Sequence, residues 1–342
     1  MAYANVNTHQ ENAARSLKPW FHNWYLPAHE IPALATIAIF SLIAAIAVAS
    51  GVFTFSHADF DGLILTFALL WLLGHLCQLR HGGVVPDLCK LYAVFLGVAL
   101  ASPLACAALA TTNFPLADAT LTQLDHQLVS GFSWPSTVQA LERYPQILHL
   151  LSYAYIALGW QPPVLLALLC CQGRKQEAWK FINAWTLCIL VTTLIFPFAP
   201  ALNPYTFHAI PHSAMPDALC TAAWDYPIIL KQLRAHSITT LNSAALSGLV
   251  SFPSFHAAGA VLLAWGYGKI RYLRWPFLAI NAVMWVSAIP IGGHYLVDLV
   301  AGTGLALLMI GFVEGTAVPR PLLKAPAQAR GDEALPMSSP RP

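Results

Sequence analysis

The residues of this chain best placed to do chemistry lie in two short strings, Ser251-Phe-Pro-Ser-Phe-His256 and Gly292-Gly-His-Tyr-Leu-Val-Asp298. Between them run an apolar stretch (257–268), a basic knot of Lys269, Arg271 and Arg274, and a second apolar stretch (275–291). If both stretches cross a bilayer, the chain goes in and comes back, and His256 and His294 meet at the same membrane face. Two imidazoles and a carboxylate at one bilayer mouth suit phosphoryl transfer.

Each string carries its own physics. His294 and Asp298 are four apart on what should be the first turn of the last span, so they should share a helix face. Asp298 then lies in an apolar segment, where an ionised carboxylate is costly without a partner, and a neighbouring imidazole supplies one. In the first string Pro253 and Ser254 should open a helix, since serine is a favoured N-cap and proline is tolerated near the start. A helix N-terminus offers free amides and a positive dipole end to an anion, which places His256 beside any bound phosphate. The same His-x-x-x-Asp spacing recurs at His57 and Asp61, to which no role is assigned.

Positioning these strings requires membrane-spanning helices, and the composition allows them. Of 342 residues, 57% are hydrophobic and 9% charged, against roughly 25% charged in a soluble chain; the mean hydropathy is +0.60. Counting runs of about 17–25 apolar residues gives eight spans: 31–55, 62–79, 91–111, 147–171, 178–198, 252–268, 275–291 and 295–313. The expectation is an all-α, polytopic membrane bundle over residues 31–315. A net charge of +2 points to no nucleic-acid partner, and the seven cysteines contain no Cys-x-x-Cys pair.

With eight spans, both tails and the even-numbered loops share one side. That side holds fourteen of the seventeen Lys and Arg; the other holds only Arg143, Lys231 and Arg234. Such a bias makes the rich side cytoplasmic and turns both histidine strings away from it, in a multi-pass protein of the cell membrane. Residues 1–30, with Trp20, Phe21, Trp24 and Tyr25, read as an interfacial anchor. Leu121, Leu124 and Leu128 read as an amphipathic helix lying on the outer surface. Residues 199–251 form a long outer loop suited to a lid or to substrate selection, and the Ala/Pro-rich tail 316–342 reads as disordered.

The strings resemble the type-2 phosphatidic acid phosphatase superfamily, which also contains the vanadium haloperoxidases. Within it they look most like the inositol phosphorylceramide synthase branch and its bacterial, inositolphosphotransferase-like relatives. The resemblance rests on Phe252-Pro-Ser-Phe-His-Ala257 and on Ser287 followed by His294 and Asp298, with Phe196-Pro-Phe-Ala-Pro200 as a weaker match. It implies a six-helix catalytic core, at about residues 147–313 here, and a phosphohistidine mechanism. His294 would attack phosphorus, Asp298 would orient and charge-stabilise that imidazole, and His256 would protonate the leaving oxygen. Ser254 would join the phosphate cradle.

The departures are specific. Phe255 stands where the superfamily's general pattern has glycine, and Ala288 where it has arginine; no Lys-x6-Arg-Pro string occurs. A phosphoryl group in transfer needs donors and positive charge on its equatorial oxygens. Arg234 is the first candidate for that cation and Lys231 the second. His208 and His212 are four apart, but Pro204 and Pro211 argue against a metal-binding helix, and neither metal nor cofactor is expected. These features point to an integral membrane phosphatase or phosphotransferase working on a phosphorylated lipid among membrane lipids. A non-catalytic transporter or scaffold retaining the fold is the alternative, and hydrolysis against headgroup transfer stays open.

Overall fold

Apolar composition becomes helix along most of the chain. The computed structural model describes residues 27–80, 83–242 and 248–315, so the aromatic segment before the first span and the tail after Gly315 lie outside the described residues. In order, the helices are α1 (Ile31–Ala49), α2 (His57–Arg80), α3 (Val84–Ala110), α4 (Asp118–Leu128), α5 (Trp134–Glu142), α6 (Pro145–Ile156), α7 (Gln161–Cys171), α8 (Lys175–Ile195), α9 (Pro204–Phe207), α10 (Ala222–Arg234), α11 (Phe255–Gly268), α12 (Arg274–Ser287) and α13 (Leu296–Gly315). Two strands of two residues, β1 (Thr54–Phe55) and β2 (Thr240–Leu241), pair in parallel and tie the α1–α2 turn to the segment after α10.

Helix α8 is the axis of the bundle, packed by α1, α3, α7, α11 and α13. Its Trp179, Phe181, Ile182 and Trp185 meet Leu165, Leu166 and Leu169 of α7 and Leu262, Leu263 and Tyr267 of α11 in one core. Two glycines let α11 come close. A β-carbon at Gly259 would sit 2.5 Å from Leu158, and one at Gly266 would sit 2.4 Å from Leu165.

The span count differs from the expectation. Five helices are long and apolar enough to cross a membrane, or six if α6 and α7, bent by 53°, are one broken span. Gly159 and the proline pair Pro162–Pro163 at the start of α7 account for the break. The break is held from outside: Tyr267 donates to the Gln161 carbonyl at 2.9 Å, and Asn281 donates to the Gln161 side chain at 2.9 Å. The expected spans at 252–268 and 275–291 fold instead as α11 and α12, of 14 residues each. At about 1.5 Å per residue they are roughly 21 Å long, short of a hydrocarbon core of about 30 Å. Counting apolar residues overran both helices. Ser254 caps α11 only after Pro253, and α12 gives way after Ser287 to a turn holding Pro290 and two glycines.

One end of the bundle is fastened by charge. Glu30, just before α1, pairs with Lys90 of α3 at 2.8 Å, both buried. Lys175 of α8 reaches Asp87 of α3 at 3.6 Å, and Arg174 donates to the Lys269 carbonyl at 2.7 Å. Glu314 of α13 receives both Lys180 and Lys269. The start of α1, the starts of α3 and α8, the end of α11 and the end of α13 therefore gather on one face. His256, at the start of α11, lies toward the opposite end.

The described residues of the expected outer loop, 199–242 and 248–251, include helices. They carry α9, a 3-10 turn at His212–Ala214, α10 and β2. Pro227 lies inside α10 and can offer no N–H to the carbonyl of Ala223. That carbonyl is taken by the side-chain amide of Asn203 in a short hydrogen bond, which fixes α10 against the rest of the stretch.

Candidate active site

Asp298 organises the site. It is fully buried in the first turn of α13. Its Oδ2 accepts from Ser251 Oγ at 2.9 Å, from the Tyr295 N–H at 3.0 Å and from His294 Nδ1 at 3.4 Å. Oδ1 has no partner among the described residues. With Nδ1 turned to the carboxylate, Nε2 of His294 is the nitrogen left to react. The pair does not share a helix face as expected. His294 precedes α13, its N–H held by the Ala288 carbonyl at 3.2 Å. The spacing of four works because the chain bends back over the helix start.

Two glycines permit that bend. Gly293 has φ +64, and a β-carbon on Gly292 would fall 2.8 Å from the His294 ring and 2.9 Å from Tyr155. Side chains at these positions would push the imidazole away.

The second string arrives as its sequence suggests. Ser254 caps α11, its hydroxyl accepting the Ala257 N–H at 3.3 Å. The Ser254 N–H in turn donates to the main-chain oxygen of Asp298 at 3.0 Å. One turn along α13, a β-carbon on Gly302 would lie 2.2 Å from the Ser254 carbonyl. The two strings are thus in backbone contact. His256 stacks face to face on Tyr155, with centroids 3.7 Å apart and planes 10° apart, and lies 6.4 Å from the His294 ring.

Both imidazoles line a cavity of about 310 Å³, together with Tyr155, Phe255, Gly292, Tyr226, Leu249 and Val250 and with Ser102, Cys106, Thr192 and Thr193 of α3 and α8. The described residues lining it include no lysine or arginine. Arg234 ends α10 and donates to the Phe114 carbonyl at 2.7 Å, while Lys231 is exposed on the same helix. The structure therefore brings His256, His294, Asp298 and Ser254 together and leaves Arg234 and Lys231 outside the cavity wall. His208 and His212 fall on separate turns.

Helix α4 is placed differently from an amphipathic helix resting on its leucines. Leu128 is exposed, and the buried stripe is Asp118, Leu121 and Asp125. Asp118 accepts from the Leu202 and Asn203 N–H groups at 3.0 Å and from the Tyr295 hydroxyl at 2.9 Å. Asp125 accepts from Leu296 and Val297 N–H at 3.0 and 2.9 Å, capping α13 from another helix. Burial pushes both carboxyls above the ordinary range, opposed by these hydrogen bonds. Sequence reasoning gave the two aspartates no role. Their one available signal was their own spacing of seven, which puts them on the Leu121 face.

Residues 119–312 match the PAP2 superfamily, and the chain belongs to that family. No curated protein and no solved structure matches it significantly.

Proposed function

We propose that this PAP2-superfamily member is an integral membrane phosphatase or phosphotransferase that acts on a lipid phosphate ester or anhydride through a phosphohistidine. Family membership supports phosphatase-type chemistry on a lipid phosphate. The observation that carries the finer reading is the convergence of His256 and His294 on one cavity, with Asp298 behind His294.

In the first step His294 Nε2 attacks phosphorus. The N–P bond forms as the bond to the leaving oxygen breaks, and His256 gives that oxygen its proton. Asp298 stabilises the positive charge that develops on the His294 ring. In the second step His256 takes a proton from an acceptor hydroxyl, which attacks phosphorus and frees His294. First-turn amides of α11 and the Ser254 region face the phosphoryl oxygens. The site would open on the non-cytoplasmic side, at the end of the bundle away from the face where Lys90, Arg174, Lys175, Lys180 and Lys269 gather.

Water as acceptor gives hydrolysis; a lipid or polyol alcohol gives headgroup transfer. Phe255 favours transfer as a second reading, because its ring packs on Trp185 (5.0 Å) and makes an apolar wall beside His256. Likeness to the inositol phosphorylceramide synthase branch points the same way.

Purified protein in detergent, assayed for phosphate release and headgroup exchange across a panel of lipid phosphates, tests the reading. Turnover with an acid-labile, alkali-stable phosphoenzyme is expected. Absence of both on every substrate would favour a non-catalytic transporter or scaffold. Cysteine placed at exposed position 236 should react with an impermeant reagent added outside intact cells; reaction only from the cytoplasm would reverse the orientation.

A further inference from the structure

The cavity presents an anion with two histidines and no lysine or arginine among the described residues of its wall. Something else must meet the oxygens of a tetrahedral anion held there. Tyr226 of α10 lines this cavity and is 4% exposed, and among the described residues its hydroxyl has no well-formed hydrogen bond, only the neighbouring Ser251 hydroxyl, whose proton goes to Asp298. A buried phenol without a partner is costly, and proteins seldom keep one without a use. Its position is not loose. Tyr226 directly precedes Pro227, and the carbonyl that Pro227 leaves free is bonded by Asn203, itself held by Asp118. Burial raises the tyrosine far above its ordinary pKa, so it keeps its proton and remains a donor.

We propose that the Tyr226 hydroxyl donates a hydrogen bond to a non-transferred oxygen of the phosphoryl group, as a neutral donor where cationic side chains are absent from the wall. This rests on the phosphoryl-transfer reading above. Thr192, whose hydroxyl is buried in the cavity wall and likewise without a partner among the described residues, is the natural second donor. Ser251 lies beside Tyr226 and donates to Asp298, so a rival role for the phenol is to act through Ser251 on the His294–Asp298 pair.

Tyr226→Phe separates these roles. A direct donor predicts a fall in kcat/KM of roughly 10–100-fold, somewhat below the loss of one strong oxyanion donor, and weaker competitive inhibition by inorganic phosphate by about the same order. Removing an orphan hydroxyl should leave the melting temperature unchanged or raise it. The effects of Tyr226→Phe and Ser251→Ala on kcat/KM should multiply. Wild-type kinetics and phosphate inhibition in Tyr226→Phe would overturn the proposal. So would a lowered melting temperature or misfolding, which would give the hydroxyl a structural partner, or non-multiplying losses with Ser251→Ala. If the wild type turns over no substrate, the catalytic reading fails by itself. The donor is then judged by whether inorganic phosphate, against chloride at equal ionic strength, raises the melting temperature of the wild type more than that of Tyr226→Phe; equal shifts would sink it.

Discussion

The chain contains two histidine–aspartate pairs of identical spacing and nearly identical N···O distance. His57 and Asp61 stand 3.2 Å apart, His294 and Asp298 3.4 Å apart. Their surroundings are opposite. The first pair's side chains are 78% and 62% exposed, the second's 6% and 0%. Water screens the first, so the pairing contributes little. In the second, Asp298 accepts from Ser251, Tyr295 and His294 in a dry setting, and α4 caps the helix that presents it. The difference teaches that spacing alone does not make a site: on the proposed reading, the shell around the motif sets the two pairs apart.

Substitutions break or sharpen that contrast. His294→Ala should abolish turnover, because it removes the attacking nitrogen; measurable release of phosphate from any substrate would strip it of that role. Asp298→Asn should lower kcat by about 10⁴-fold, since the amide favours the wrong imidazole tautomer, with the protein still eluting as a single species. A loss under tenfold would place the two pairs on equal footing. His256→Ala should cost roughly 10²–10⁴-fold, partly recovered on substrates whose leaving group needs less protonation. Equal losses on good and poor leaving groups would remove it as the acid.

Smaller effects test the shell. Asp125→Asn keeps one acceptor for the two N–H groups at the start of α13 and drops the charge, a loss of about 1–2 kcal/mol. It should lower the melting temperature by several degrees and kcat by less than tenfold, as read in detergent; an unchanged melting curve would mean the cap is dispensable. At the far end of the scale, His57→Ala and Asp61→Asn should leave both activity and stability within error.

Much of this contrast is legible in the sequence. Apolar run lengths gave most of the helices, and the N-cap at Ser254 followed from residue type, because capping is local. What stayed hidden is contributed from far along the chain. Asp125 lies 171 positions from the N–H of Leu296 that it binds, and Tyr155 stacks on His256 across about a hundred residues of sequence. Neither contact leaves a trace in local periodicity. The sidedness of α4 was misjudged because leucine was expected to outweigh aspartate for burial, whereas eager N–H donors at 202, 203, 296 and 297 reversed the order. Arg234 illustrates the same limit: charge type and loop position nominate it, but only packing decides that its guanidinium rests on the Phe114 carbonyl.

The backbone contact at Gly302 acts as a gauge. It sits one turn after Asp298 and admits the Ser254 carbonyl where even a methyl group would not fit, so the approach of α11 to α13 beside the two imidazoles is set by hard-sphere distance. If the proposed transfer takes place here, a bulkier headgroup could not be admitted by drawing these two main chains apart. On that reading, discrimination among substrates would be written in the replaceable walls, at Phe255, Leu249, Val250 and the hydroxyl-bearing turns of α8.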